Sequence, residues 1–364
     1  MQQQWTQTQQ QWTQTQWTAQ SLAHLFEWSS TLSLQYHTYN SPASQKILVN
    51  AFFEPSTRTA LSFECAMKRL GGNVITFHPS TSSIQKGEED YDTLKTLEKY
   101  GDAIVLRHPR KSFLEEIRPL VSVPIINAGN GNGDHPTQAL LDLYTLYKTF
   151  GPQEFQRKTI LFIGDIRHSR TIHSLIQLLH LYPQTNLFLS PYEGCEPEPD
   201  YIRKISFIHH QREEEIVVPL INLESSDYSS YDVVYITRKQ KERHHAPSSP
   251  SQPTPFIFTN AHANMLHEDA IIMHPLPRNE ELDRDVDQNH RAYYFKQMEY
   301  GVEIRMGLLD QMFAQQEEEY KKNHELYPSL EEVAVAHQGT QEWFYSYIGI
   351  VLITIYLWKY IHTI

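Results

Sequence analysis

The stretch KILVNAFFEPSTRTALSFECAMKRLGG, residues 46–72, sets the architecture of the chain. Lys46–Phe53 is an almost unbroken apolar run of strand length, the pattern of a strand covered on both faces. After the polar break at Glu54-Pro55-Ser56, apolar residues recur at helical spacing: Leu61, Phe63, Ala66, Met67 and Leu70. A helix is therefore predicted over Thr57–Leu70, stopped by Gly71-Gly72. Strand, short turn and helix in that order form the building unit of an α/β protein.

Outward from this unit the alternation continues to about residue 300. Strands are predicted at Ala103–Leu106, Pro124–Asn127, Thr159–Gly164, Leu187–Ser190, Asp232–Ile236, Phe256–Thr259 and Ile271–His274. Helices are predicted at Ser21–Ser33, Thr137–Lys148 and Arg170–Leu181. A break at Phe150-Gly151-Pro152 divides the chain into two α/β domains, 21–150 and 151–300, each with a parallel sheet flanked by helices. Residues 246–255, APSSPSQPTP, form a Pro/Ser-rich loop.

The ends differ from this core. Residues 1–20 hold ten Gln and three Trp in an imperfect repeat, read as a disordered tail. At the other end, 315–342 is acidic and polar and reads as a linker. Trp343–Trp358 then runs 16 residues without a charge, with aromatics at both ends. With the residues up to Ile364 it is long enough for a membrane anchor, and its Ile/Val/Thr content also suits a strand packed on the protein's own surface. The chain has 364 residues and 40% hydrophobic content, which excludes a fully disordered chain and a multi-span membrane protein. A net charge of −12 argues against nucleic acid as a partner. Two cysteines, Cys65 and Cys195, build no disulfide framework and suit a reducing, cytoplasmic compartment. No basic n-region with an apolar core opens the sequence, so no secretory signal is expected.

Chemistry gathers at the ends of the predicted strands, where open α/β sheets bind ligands. Ser56-Thr57-Arg58-Thr59 opens a helix, whose free N–H groups and dipole attract an anion. The hydroxyls and the guanidinium fork there suit phosphate. Arg107-His108 follows a second strand, and Asn130–Gln138 follows a third. His135 and Gln138 lie three apart at a helix start, so both can face one pocket. Arg170, Arg238 and Arg278 follow strands in the second domain, and Lys86 lies in the polar loop Ser80–Glu89. Cations recurring at strand ends of an acidic protein point to a substrate with several negative charges. The three-glycine dinucleotide spacing is missing after Thr159–Gly164, and no P-loop, zinc helix or paired-Cys motif occurs, so cofactor-free chemistry without a metal is expected.

The set EPSTRT, SSIQKGE, VLRHP, GDHPTQALLDLYT, GDIRHSRTIHS, YITRKQKER and MHPLPR resembles the aspartate/ornithine carbamoyltransferase family, in its order and spacing, from about Ser21 to Gln311. Within the family it looks like the aspartate branch. Ornithine enzymes typically carry a Cys-containing H-C-L-P motif, and here His274 is followed by Pro275. The resemblance implies a first domain for carbamoyl phosphate and a second for L-aspartate. It also implies a helix from about Gly301 that packs back on the first domain, to residue 314, and a homotrimer with shared sites.

The implied activity is transfer of the carbamoyl group to aspartate in de novo pyrimidine synthesis. Alternatives are another acceptor such as ornithine, or an inactive membrane-tethered homologue. By resemblance, Ser56, Thr57, Arg58 and Thr59 form the phosphate turn, and Arg107 contacts phosphate and the carbamoyl oxygen. His135 also meets that oxygen, while Gln138, Leu276 and Pro277 meet the carbamoyl amine. The catalytic set is Arg58, Thr59, Arg107 and His135. Arg170 and Arg238, with Gln240, hold the aspartate carboxylates. Ser83 and Lys86 are implied to reach in from the adjacent subunit, with Lys86 touching both substrates.

Overall fold

The computed structural model describes residues 17–131, 133–218, 228–240 and 256–326. The Gln/Trp repeat up to residue 16, the whole Pro/Ser-rich loop 246–255 and the hydrophobic stretch Trp343–Trp358 lie outside the described residues. No helix among the described residues is long and apolar enough to cross a membrane.

The elements run α1 (Ala19–Gln35), β1 (Ile47–Phe52), α2 (Thr57–Arg69), β2 (Asn73–Phe77), α3 (Asp90–Leu97), β3 (Ala103–His108), α4 (Phe113–Ile117), β4 (Ile125–Asn130) and α5 (Pro136–Phe150). They continue as β5 (Thr159–Gly164), α6 (Arg170–Leu179), β6 (Asn186–Pro191), α7 (Pro199–His209), α8 (Glu213–Ile216), β7 (Val233–Ile236), α9 (Asn260–Ala263), β8 (Ile271–Met273) and α10 (Tyr294–Leu326). Two four-stranded sheets result, ordered β2-β1-β3-β4 and β6-β5-β7-β8. Every pairing is parallel. This is the two-sheet α/β architecture expected from the sequence.

Parallel strands need crossovers, and the helices that make them cover both faces. β1, β3, β4, β5 and β7 are accordingly buried along almost their whole length, while the edge strand β2 is exposed or half-buried throughout. Alternate residues share a face. Val49, Ala51, Ile104 and Leu106 join Leu94, Phe113 and Ile117 in one core of the first sheet. Leu161, Ile163, Val234 and Ile236 join Tyr228, Phe258 and Tyr294 in a core of the second.

Several expectations are corrected. The segment Phe256–Thr259 is not a strand: Phe258 pairs only with Leu282, through Phe258 N–H to Glu281 O and Asp283 N–H to Phe258 O. Two bonds at one residue make a bridge, and Pro253 and Pro255 lie just before it. α1 begins inside the segment read as a tail, because Thr18 and Ser21 form a reciprocal capping box. α2 ends one residue early, at Arg69, where Gly71 takes a φ of +81°. α10 starts before Gly301 and continues into the supposed linker as far as Leu326. Its residues reach the first-sheet helices: Glu303 accepts from Tyr144 Oη at 2.8 Å, and Asp310 accepts from Trp28 Nε1 at 2.9 Å. At Gly307 a Cβ would lie 2.0 Å from Ser29 Oγ, so only glycine allows α1 this close.

Candidate active site

Ser56 sits at the N-cap of α2, yet its side chain makes no capping bond. The hydroxyl is thus not committed to the helix. Thr57 and Arg58 are exposed, while Thr59 is buried. Partial loss of solvent around its guanidinium, and then the nearby Arg238 guanidinium, push the Arg58 pKa down although the residue as a whole is exposed. Arg58 also helps to lower the pKa of His274. The turn at Ser56–Thr59, Arg238 and the segment after β8 therefore share one positive field.

A second group of cations surrounds Gly129 in β4. A Cβ on Gly129 would lie 3.4 Å from Nη1 of Arg107 and 3.4 Å from Nη1 of Arg170. Two guanidiniums, from the end of β3 and the start of α6, converge on that point. Glycine also permits the local φ of +122°. Arg107 Nε lies 3.4 Å from Glu54 Oε2, and Arg170 Nη1 donates to Gly131 O at 2.6 Å.

His135, at the N-cap of α5, is 5% exposed. Its backbone N–H donates to Ser174 Oγ of α6 at 3.0 Å, which ties the two helices together. Its Nδ1 is buried without a hydrogen-bond partner among the described residues. Burial, then the charges of Arg170, Arg107 and Arg305, hold the imidazole well below its ordinary pKa. It is a neutral ring facing three cations, able to donate from one nitrogen and accept at the other.

Gln138, one turn further along α5, donates from Nε2 to Asp142 Oδ1 at 2.9 Å. Asp142 is fully buried. Burial lifts its carboxyl to about 7, against the hydrogen bonds from Tyr235, Gln297 and Gln138. After β8, His274 Nδ1 accepts the Leu276 N–H at 2.8 Å, so its Nε2 carries the proton toward Glu281 Oε1 at 3.0 Å. Leu276 takes a φ of +52°, and the Leu276–Pro277 peptide is cis.

Arg238 and Gln240 follow β7, and the buried Asp165 carboxylate accepts the Gln240 N–H at 3.0 Å. The same carboxylate accepts the His168 N–H at 3.1 Å, just before Arg170. One buried anion thus joins the two loops that carry Arg170 and Arg238. Ser83 and Lys86 begin and end a 3-10 turn, are exposed, and hydrogen-bond to no other candidate residue through their side chains. The structure brings Arg58 near Arg238, and Arg107 near Arg170 and His135, but does not gather Ser83 and Lys86 with them within this chain.

Sequence reasoning missed Glu54, Ser174, Asp142, Tyr235, Gln297 and Arg305. Glu54 lies inside the EPSTRT motif, so its place just before the Ser56–Thr59 turn was a usable signal. Arg305 carried none: it is a guanidinium 3% exposed on α10, stacked over Phe63 at 5.0 Å. Among the described residues no group of three or more His, Cys, Asp or Glu could hold a metal ion.

The family profile for the aspartate/ornithine carbamoyltransferase carbamoyl-P binding domain matches residues 10–148. That for the Asp/Orn binding domain matches residues 156–312. The aspartate carbamoyltransferase catalytic subunit of Methanosphaera stadtmanae is 43% identical over 266 residues, 73% of this chain and 84% of that one. The multifunctional protein ura1 of Schizosaccharomyces pombe is 44% identical over 270 residues, 72% of this chain but 12% of its own length. The structure of aspartate transcarbamoylase from Trypanosoma cruzi with carbamoyl aspartate and phosphate superposes with a TM-score of 0.71 at 35% identity, covering 82% of this chain and 94% of that one. Its complex with N-(phosphonacetyl)-L-aspartic acid gives 0.70 at 36%, covering 81% and 92%.

Proposed function

The chain belongs to the aspartate/ornithine carbamoyltransferase family, and we propose that the arginines around Gly129 and His135 divide its two substrates between them. The enzyme transfers the carbamoyl group of carbamoyl phosphate to the amine of L-aspartate, giving N-carbamoyl-L-aspartate and phosphate. Ser56, Thr57, Arg58 and Thr59 take the phosphate at the start of α2. Arg107 bridges phosphate and the carbamoyl oxygen, Gln138 and Leu276–Pro277 take the carbamoyl amine, and Arg170 and Arg238 take the two carboxylates of aspartate, with Gln240 beside them. Residues 21–150 form the carbamoyl-phosphate domain and 151–300 the aspartate domain.

The observation that carries this allocation is the convergence of the Arg107 and Arg170 guanidiniums on one point beside a neutral, buried His135. In the reaction the aspartate amine forms a bond to the carbamoyl carbon. The bond from that carbon to the phosphate oxygen breaks, and the departing phosphate accepts the amine proton. Negative charge builds on the carbamoyl oxygen between these steps. Thr59, Arg107 and His135 stabilise it as fixed donors, an arrangement worth about 2.7–4 kcal/mol per donor. A neutral imidazole suits the role, because it needs no further positive charge among three guanidiniums.

Ser83 and Lys86 reach the site of a neighbouring subunit in a homotrimer. A subunit-mixing experiment tests this. Arg58→Ala and Lys86→Ala chains, each inactive alone, are dissociated, mixed equally and reassembled. Random assortment leaves about a quarter of shared sites with both native halves, so about a quarter of the native rate returns. No recovery would place both residues in one chain's site. The catalytic region is assigned to the cytoplasm, and Trp343–Ile364 is read from its composition alone as a tether. Fractionation of the full chain beside a version ending at Glu342 tests the tether.

A further inference from the structure

Gln138 and the Leu276–Pro277 segment come from different domains, yet one buried carboxylate stands behind both. Asp142 Oδ1 accepts from Gln138 Nε2 at 2.9 Å and from Gln297 Nε2 at 2.5 Å, and Oδ2 accepts from Tyr235 Oη at 2.8 Å. The four side chains come from α5, α10 and β7. An ionised carboxylate only accepts, whereas a glutamine amide has one accepting and one donating end. Which way an amide faces is set by its neighbours.

Asp142 therefore dictates both amides. Gln138 gives its NH2 to the carboxylate, which leaves its carbonyl as the end available to a ligand. A carbamoyl NH2 is a donor and matches that carbonyl. Gln297 also turns its NH2 to Asp142, and its carbonyl accepts the His274 N–H at 3.0 Å. His274 in turn accepts the Leu276 N–H at 2.8 Å. The chain of bonds runs from the carboxylate through Gln297 and His274 to the Leu276 peptide. Burial lifts the Asp142 carboxyl to about 7, while its three hydrogen bonds and the buried guanidinium of Arg305 favour the charged form; with a proton on Oδ2, Oδ1 still accepts from both amides.

We propose that Asp142 is a positioning residue that makes the carbamoyl-amine pocket an acceptor site, by orienting Gln138 directly and the Leu276–Pro277 segment through Gln297. It touches no substrate. The inference rests on the proposed roles of Gln138 and Leu276–Pro277.

The test separates amine recognition from phosphate recognition. With the purified full chain, the KM for carbamoyl phosphate and the inhibition constant of inorganic phosphate are measured for the native enzyme and Asp142→Leu. Leucine is close to aspartate in shape and removes both acceptor oxygens, so the Gln138 and Gln297 amides lose the oxygen that fixes them. The KM is expected to rise about tenfold or more, the scale of losing a hydrogen bond to a charged group, while the phosphate constant stays within about twofold. A purely structural role would weaken both together. Equal increases, or an unchanged KM, overturn the proposal. If Asp142→Leu does not fold, Gln297→Met, similar in shape, is read the same way: a raised KM with an unchanged phosphate constant supports the relay, and any other pattern overturns it. A native chain that makes no carbamoyl aspartate overturns the functional reading and this inference with it. A native chain that does so without the split in the variant overturns Asp142 alone.

Discussion

Replacing His135 by glutamine separates what the ring does for catalysis from what its environment does to stability. The imidazole is buried beside Arg107, Arg170 and Arg305, and its pKa is held well below the ordinary value by burial and then by those charges. In the unfolded chain the same ring titrates near 6.5. Below that pH the unfolded state takes up a proton that the folded state refuses, so acid favours unfolding. A histidine that remains neutral one unit below its ordinary pKa costs about 1.4 kcal/mol of stability there, and almost nothing at pH 8. His135→Gln removes this term. The difference in unfolding free energy between variant and native chain should therefore shift by about 1.4 kcal/mol in the variant's favour between pH 8 and pH 5.5. Urea unfolding at both pH values, followed by tryptophan fluorescence, measures it. The rate constant for turnover should fall about 10²–10³-fold at pH 8, as for loss of one oxyanion donor. A pH-independent stability difference would show that the ring titrates in the folded enzyme as it does in the unfolded chain, and the neutral-donor reasoning would fail.

Other consequences follow from single residues. Arg58→Ala should abolish turnover with the melting temperature unchanged, because the side chain is exposed; calorimetry beside a product assay checks both parts. Gly129→Ala forces a φ of +122° on a residue with a Cβ, at a cost of about 1–3 kcal/mol, and sets a methyl against two guanidiniums. Turnover should drop about 10²-fold in steady-state assays, the scale of a misplaced reacting group. Glu98 supplies a structural control. Burial would raise its carboxyl, but hydrogen bonds from Lys95, Ser122 and Lys99 outweigh burial and bring it down to about 2. Its stabilisation is present above the ordinary carboxyl pKa and is lost as pH falls toward 2. Glu98→Gln should lower stability by about 1–3 kcal/mol at pH 7 without changing KM, as thermal melts and kinetics would show.

Some of this was legible in the sequence because strand ends announce themselves. An apolar run followed by polar residues locates Arg58, Arg107, His135, Arg170 and Arg238 at sites where parallel sheets present ligands. Phe256–Thr259 misled for the same reason: an apolar run was visible, but whether a partner strand would pair along its length was not. Asp142, Gln297 and Arg305 were hidden because they lie within helices on buried faces, where local periodicity cannot tell a polar residue in a network from one facing water. Asp142 meets Tyr235 and Gln297 across 93 and 155 positions of sequence, and only the packed structure brings them together.

The central claim is that this chain carbamoylates aspartate through the arginines of its two domains. Purified full chain, given carbamoyl phosphate with aspartate or ornithine in parallel, is predicted to form N-carbamoyl-L-aspartate and phosphate in equal amounts, and no citrulline. Arg170→Ala is predicted to raise the KM for aspartate while leaving phosphate inhibition unchanged. Citrulline as the main product, or no ureido product from either acceptor by a properly folded chain, would contradict the account.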